Sequence, residues 1–103
     1  MDKINTYEDF LKIIKQDMVV VIAKTKTCVV CKPLSEKLSN FMVNYPSIPA
    51  FEIYLEDVEL FQGQHLVFTV PTIIVFSNKK EILRESRFID FSKIERLFSL
   101  YLS

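Results

Sequence analysis

Six consecutive apolar residues, Met18-Val19-Val20-Val21-Ile22-Ala23, set the strongest constraint on how this chain can fold. The run is dominated by β-branched side chains, which favour a strand over a helix. Apolar side chains on both faces need cover on both faces, so the run reads as a central strand of a parallel or mixed sheet. The flanking segments supply that cover. Thr6 can cap a first helix, with Asp9 three residues on, where its charge suits a helix N-terminus. Tyr7, Phe10, Leu11 and Ile14 then follow at the spacing of one helical face. A second amphipathic helix is expected from about Cys28 to Asn44. It carries Cys31, Leu34, Leu38, Phe41, Met42 and Tyr45 on one side and Ser35, Glu36, Lys37, Ser39 and Asn40 on the other. Pro33 is tolerated there because it falls near the first turn.

Ala50–Leu55 suits a second central strand, and a short helix is expected around Val58–Gln64. Pro71 introduces a buried strand over Thr72–Phe76. Ser77–Lys80 is a polar turn of hairpin length, and Glu81 to Phe88 is the returning strand. Asp90 or Ser92 caps a last helix, with Ser92 and Glu95 spaced as a capping box; Ile94, Leu97, Phe98 and Tyr101 mark its buried side. Strands separated by helices imply right-handed crossovers. The expectation is therefore a single α/β domain over residues 1–103, with a central mixed β-sheet flanked by helices on both faces. The sheet has four strands, or five if Lys3–Asn5 joins it. A chain of 103 residues, half of them hydrophobic, can build a core without staples.

Thirteen basic residues balance thirteen acidic ones, which argues against a nucleic-acid groove and gives no electrostatic reason for membrane contact. The polar start, Met1 to Asp9, lacks the pattern of a signal peptide, and the apolar runs are too short to span a bilayer. A cytoplasmic monomer is the simplest expectation. Cys28 and Cys31 are the only two cysteines. In a reducing compartment such a pair is more often catalytic or metal-binding than structural. A zinc site wants four ligands, and one chain offers two Cys and the single His65, so a monomeric site would need His65 plus a carboxylate and the main metal alternative is a dimeric, Cys-ligated site. His65 itself reads as a solvent-exposed or helix-end residue.

Thiolate is the attacking species in disulfide exchange. A cysteine at a helix start faces unpaired N–H groups and the positive end of the macrodipole, both of which favour an anion. Cys28 is therefore the expected nucleophile and Cys31, one turn on, the resolving thiol, with Lys26 and Lys32 adding positive potential.

The chain resembles the thioredoxin family. An apolar strand ends just before C-x-x-C, Lys32 follows the second cysteine, and an amphipathic helix comes next. About forty residues later Val70-Pro71-Thr72 matches the family's cis-proline signature before a buried strand, and a hairpin and helix close the chain. The resemblance implies a thioredoxin fold and a protein-disulfide oxidoreductase. No bound cofactor is expected, only a Cys28–Cys31 disulfide/dithiol. The donor would be a flavin-dependent thioredoxin reductase or a low-molecular-weight thiol. Disulfide-containing proteins would dock on Val29, Val30, Val70, cis-Pro71 and Thr72. The departures are specific. Val29-Val30 replaces Gly-Pro, Thr27 replaces Trp, and Ile22 stands where the family has a buried Asp. The late substrate-facing glycine is replaced near Arg87–Phe88. Glu56 and Asp57 are the candidates to supply a carboxylate, if their strand end approaches Cys31. A binding module with redox-sensing cysteines is the alternative from a different functional class.

Overall fold

The computed structural model describes residues 1–103. Its nine elements are β1 (Asp2–Ile4), α1 (Tyr7–Ile13), β2 (Met18–Lys24), α2 (Cys31–Met42), β3 (Ala50–Tyr54), α3 (Glu59–His65), β4 (Thr72–Ser77), β5 (Lys80–Ser86) and α4 (Phe91–Leu102). The strands form one five-stranded sheet in the order β1-β3-β2-β4-β5. β1 and β2 both run parallel to β3, while β4 is antiparallel to both β2 and β5. The short N-terminal strand thus joins the sheet as its fifth member, shifted to Asp2–Ile4 from the expected Lys3–Asn5.

The central position of β2 follows from its sequence, since all seven of its residues are buried. Alternation along the strand divides them between two cores. Val19, Val21 and Ala23 pack with Phe10 of α1 and Phe61 of α3. Met18, Val20 and Ile22 pack with Leu38 and Met42 of α2 and Ile94 and Phe98 of α4. Two helices therefore cover each face, which satisfies the two-sided apolar run.

Helix ends account for most differences from the sequence expectation. α2 begins at Cys31, not Cys28, because Val29 and Val30 occupy a turn closed by the Cys31 N–H donating to the Cys28 carbonyl at 3.3 Å. It stops at Met42, where the Asn44 and Tyr45 amides reach back only three residues. Ser35, expected on its polar side, is buried beneath the helix. β5 ends at Ser86, before Arg87, whose positive φ of 64° interrupts the strand. The Ser92–Glu95 capping box does not form. Asp90 caps α4 instead, accepting from the Ser92 N–H at 3.0 Å and from its hydroxyl. These bonds hold the Asp90 carboxyl below its ordinary range. The hairpin between β4 and β5 turns through Asn78 and Lys79, both at positive φ, as a two-residue turn between twisted strands requires.

His65, the last residue of α3, lies half-buried against Phe10 and Phe61, its ring centroid 4.9 Å and 4.7 Å from theirs. Tyr7 Oη lies 3.3 Å from His65 Nε2. Burial lowers its pKa below the ordinary 6.5. The unfolded chain then takes up a proton first as pH falls, so this contribution to stability is full above about pH 6.5 and declines below it. Denaturant melts across that range should show stability falling with acidification, with a shallower slope in His65→Gln. Phe10→Ala removes a fully buried ring that also contacts Phe61 and Phe76. It should cost about 3–5 kcal/mol in the same melts.

Candidate active site

The register of β2 decides where the cysteines lie. β2 ends at Lys24, and residues 25–30 form the turns that lead into α2. The Cys28 N–H donates to the Thr25 carbonyl at 3.3 Å, which folds the segment tightly over the end of the sheet. Open α/β sheets place functional groups at such strand ends, where the backbone leaves the core and becomes accessible. Cys28 precedes the helix, and Cys31 is its first residue. They are joined as a disulfide with a Cα–Cα separation of 5.4 Å. Cys28 is partly exposed, whereas Cys31 is only 2% exposed.

β4 brings the proline to the same place. Ala23 pairs with Thr72 across the antiparallel β2–β4 ladder, so Pro71 lies abreast of the residues that leave β2. The Val70–Pro71 peptide bond is cis. Thr72 is buried, donates to the Thr69 carbonyl, and lies 3.0 Å from Ser86 Oγ. The Arg87 N–H donates to the Pro71 carbonyl at 3.0 Å, tying the end of β5 to the proline.

Two hollows meet at Val30, Pro71 and Arg87. One, of about 510 Å³, is completed by Val70 and Phe88. The other, of about 270 Å³, is completed by Pro33, Leu34 and Lys37. Val29 and Phe88 are 85% and 92% exposed, an unusual presentation of large apolar groups beside a cysteine pair. Thus Val30, Val70 and Pro71 come together at one surface with Arg87 and Phe88. Val29 points away into solvent, and Thr72 serves the backbone below rather than the surface.

A third cavity, of about 340 Å³, adjoins the disulfide itself. It is lined by Cys28 and Cys31 with Lys24, Thr25, Lys26, Lys32, Ser35, Glu36 and Tyr54. The two lysines expected from the sequence, Lys26 and Lys32, are both there. Lys26 is already engaged. Its ammonium lies 2.9 Å from the Asp57 carboxylate, and its backbone N–H donates to Glu56 at 3.0 Å. The Asp57 hydrogen bond raises the Lys26 pKa above its ordinary value. Glu56 and Asp57 are therefore committed to Lys26, and neither lines the cavity with Cys31.

Glu36 is the acidic residue that lines the cavity, and Glu52 is tied to it through Lys24. Glu52 pairs in register with Ile22, one strand over from the position where an acid is missing, and accepts from Lys24 Nζ at 3.0 Å. Sequence reasoning missed Lys24, Ser35 and Glu52. Signals existed for two of them. Lys24 continues the inward alternation of Val20 and Ile22, and Ser35 lies one helical turn beyond Cys31. Nothing in the sequence pairs Glu52 with Lys24.

There is no cluster of three or more His, Cys, Asp or Glu side chains placed to hold a metal ion. No helix is long and apolar enough to cross a membrane.

Comparisons with known proteins match this architecture. No protein-family model matches the chain. An alignment covering 72% of the chain is 35% identical to the thioredoxin-like protein YdfQ of Bacillus subtilis and covers 70% of that protein. A thioredoxin-like protein from Bacillus cereus superimposes with a TM-score of 0.72 at 36% identity, covering 88% of this chain and 95% of that one. Plasmodium falciparum thioredoxin superimposes with a TM-score of 0.86 over 98% of this chain and 99% of its own, at 18% identity, a likeness of fold. Sheet order, cis-proline, C-x-x-C pair and relatives agree: the chain belongs to the thioredoxin family.

Proposed function

We propose that the protein is a thiol–disulfide oxidoreductase that reduces protein disulfides through a mixed-disulfide intermediate. The observation that carries this reading is the inequality of two bridged cysteines, Cys28 partly exposed and Cys31 buried, at the end of the sheet where Pro71 also lies. In the dithiol state the Cys28 thiolate attacks one sulfur of a substrate disulfide. The substrate S–S bond breaks, and its leaving thiolate takes up a proton. Cys31, deprotonated, then attacks the Cys28 sulfur, expels the second substrate thiolate and closes the Cys28–Cys31 disulfide. Two electrons pass to the substrate. A flavin-dependent thioredoxin reductase or a low-molecular-weight thiol returns them. Such a cycle suits a reducing compartment such as the cytoplasm, with the protein acting as a monomer.

The surface around Pro71 supports recognition of an extended segment. The Val70 backbone offers N–H and C=O groups for strand-like pairing, and Val30 and Phe88 offer apolar contact. Arg87 and Lys37 border the hollows without an ion-pair partner, which favours substrates with an acidic residue near the cystine. The prominence of Phe88 and Val29 also favours a second reading, a docking module whose cysteines sense redox state without turnover.

Turnover separates the two. Reduction of an insulin-type disulfide by catalytic amounts of protein should fall to background in Cys28→Ser. Cys31→Ser should instead accumulate a mixed disulfide with substrate. Wild-type protein that gives no turnover with any thiol donor would rule out the enzyme. Arg87→Glu should lower kcat/KM for an acidic peptide disulfide by roughly twofold to fivefold at low salt, and the difference should shrink as salt is added.

A further inference from the structure

Lys24 ends β2 facing α2, on the same side of the sheet as Val20 and Ile22, and is only 6% exposed. A lysine is almost never so buried unless it is paired. Here Nζ donates to Ser35 Oγ at 3.0 Å and to Glu52 Oε2 at 3.0 Å, and lies 5.0 Å from the centre of the Tyr54 ring. Ser35 sits one helical turn beyond Cys31 on the buried face of α2, so the ammonium is fastened to the turn of helix that follows that cysteine. Lys24, Ser35 and both cysteines line the same cavity.

The fold alone does not require this arrangement. A buried ion pair is often no more stable than well-packed apolar side chains of similar volume. Ile22, one step back on the same face, shows that apolar packing is available there. A cation placed near a cysteine favours thiolate over thiol. The other charged groups facing the cavity are Lys26 and Lys32, both exposed, and Glu36 on the outer side of α2. Asp57 offsets Lys26. Glu52 offsets Lys24 but remains partly exposed, its side chain at 22% against 8% for Lys24, so water screens the carboxylate more than the ammonium.

We propose that Lys24, held by Ser35 and Glu52, is a positioning residue whose ammonium stabilises the Cys31 thiolate when the disulfide opens. The charge in the cavity of the resolving cysteine is thus a cation tempered by a carboxylate, in a chain where Ile22 removes the buried acid. This inference rests on the thiol–disulfide exchange proposed above. When two glutathione molecules open the bridge, the Cys28–Cys31 bond breaks, glutathione disulfide forms, and the protein gains two electrons and up to two protons. Lys24 acts on how readily the Cys31 proton is given up again.

The two partners must then have opposite effects. In the Cys28→Ser background only Cys31 titrates, and its thiolate absorbance can be followed against pH. Adding Lys24→Met should raise the midpoint, Glu52→Gln should lower it, and Lys24→Arg should return it toward the starting value. With both cysteines present, equilibrium with glutathione near that midpoint should move about threefold toward the disulfide in Lys24→Met and toward the dithiol in Glu52→Gln. A purely structural pair predicts lower melting temperatures for both variants with unmoved midpoints, or midpoints shifted the same way; either result overturns the proposal. If Lys24→Met does not fold, the near-isosteric Glu52→Gln decides alone: a lowered midpoint supports the proposal, and an unmoved or raised one overturns it. Failure of the wild-type disulfide to open in glutathione overturns the exchange reaction itself. A wild type that opens, with variants that do not diverge, overturns only the role given to Lys24.

Discussion

Burial of β2 from both sides is the constraint on which the rest of the structure depends. All seven residues of the strand are enclosed, so the chain must place neighbours on each edge and helices on each face. β3 and β4 fill the edges in parallel and antiparallel senses, and the helices divide two and two. Burying a Val or Ile side chain contributes about 1.5–3 kcal/mol, so four such side chains on one strand outweigh any local preference that opposes the arrangement. Each of the two cores is seeded by one face of this strand.

The same strand determines where chemistry can occur. Its apolar run ends at Lys24, and the backbone leaves the sheet at the point where β4 begins with Thr72 and β3 ends with Tyr54. Three chain segments distant in sequence therefore meet the cysteine turn at one end of the sheet. Pro71 and Arg87 line one hollow, and Lys24 and Ser35 line another with both cysteines, Lys24 also donating to Glu52. An apolar, weakly basic surface surrounds Pro71, and a charged hydrogen-bonded group lines the cavity that holds both cysteines.

The departures from the family pattern acquire a physical context from this geometry. Val29 and Val30 delay the helix to Cys31, leaving Cys28 in a turn with more exposure than its partner. Arg87 takes a positive φ without being glycine, and its backbone N–H still reaches Pro71. Ile22 joins the apolar core beneath α2, while ionised groups occupy the neighbouring positions Lys24 and Glu52. Loss of the acid at one position coincides with a paired cation two residues along the same face.

It was the resemblance to thioredoxins that joined Cys28, Cys31 and Pro71; the alternation and capping patterns were enough, by themselves, to place the helices and strands along the chain and to identify β2 as central. These follow from local spacing and from the requirement that apolar faces be covered, which any compact form of the chain must meet. Helix starts were less legible, because Val29-Val30 can begin a helix or a turn and Ser92 competes with Asp90 for the cap. Pairings between strands were decided only by tertiary structure. Glu56 and Asp57 could be aimed at Cys31 from sequence alone, yet the register of β3 against β2 gives them to Lys26 and presents Glu52 to Lys24. A strand fixes which face a side chain takes but not its neighbour across the ladder, and a one-residue change of register would reverse the face and change every partner.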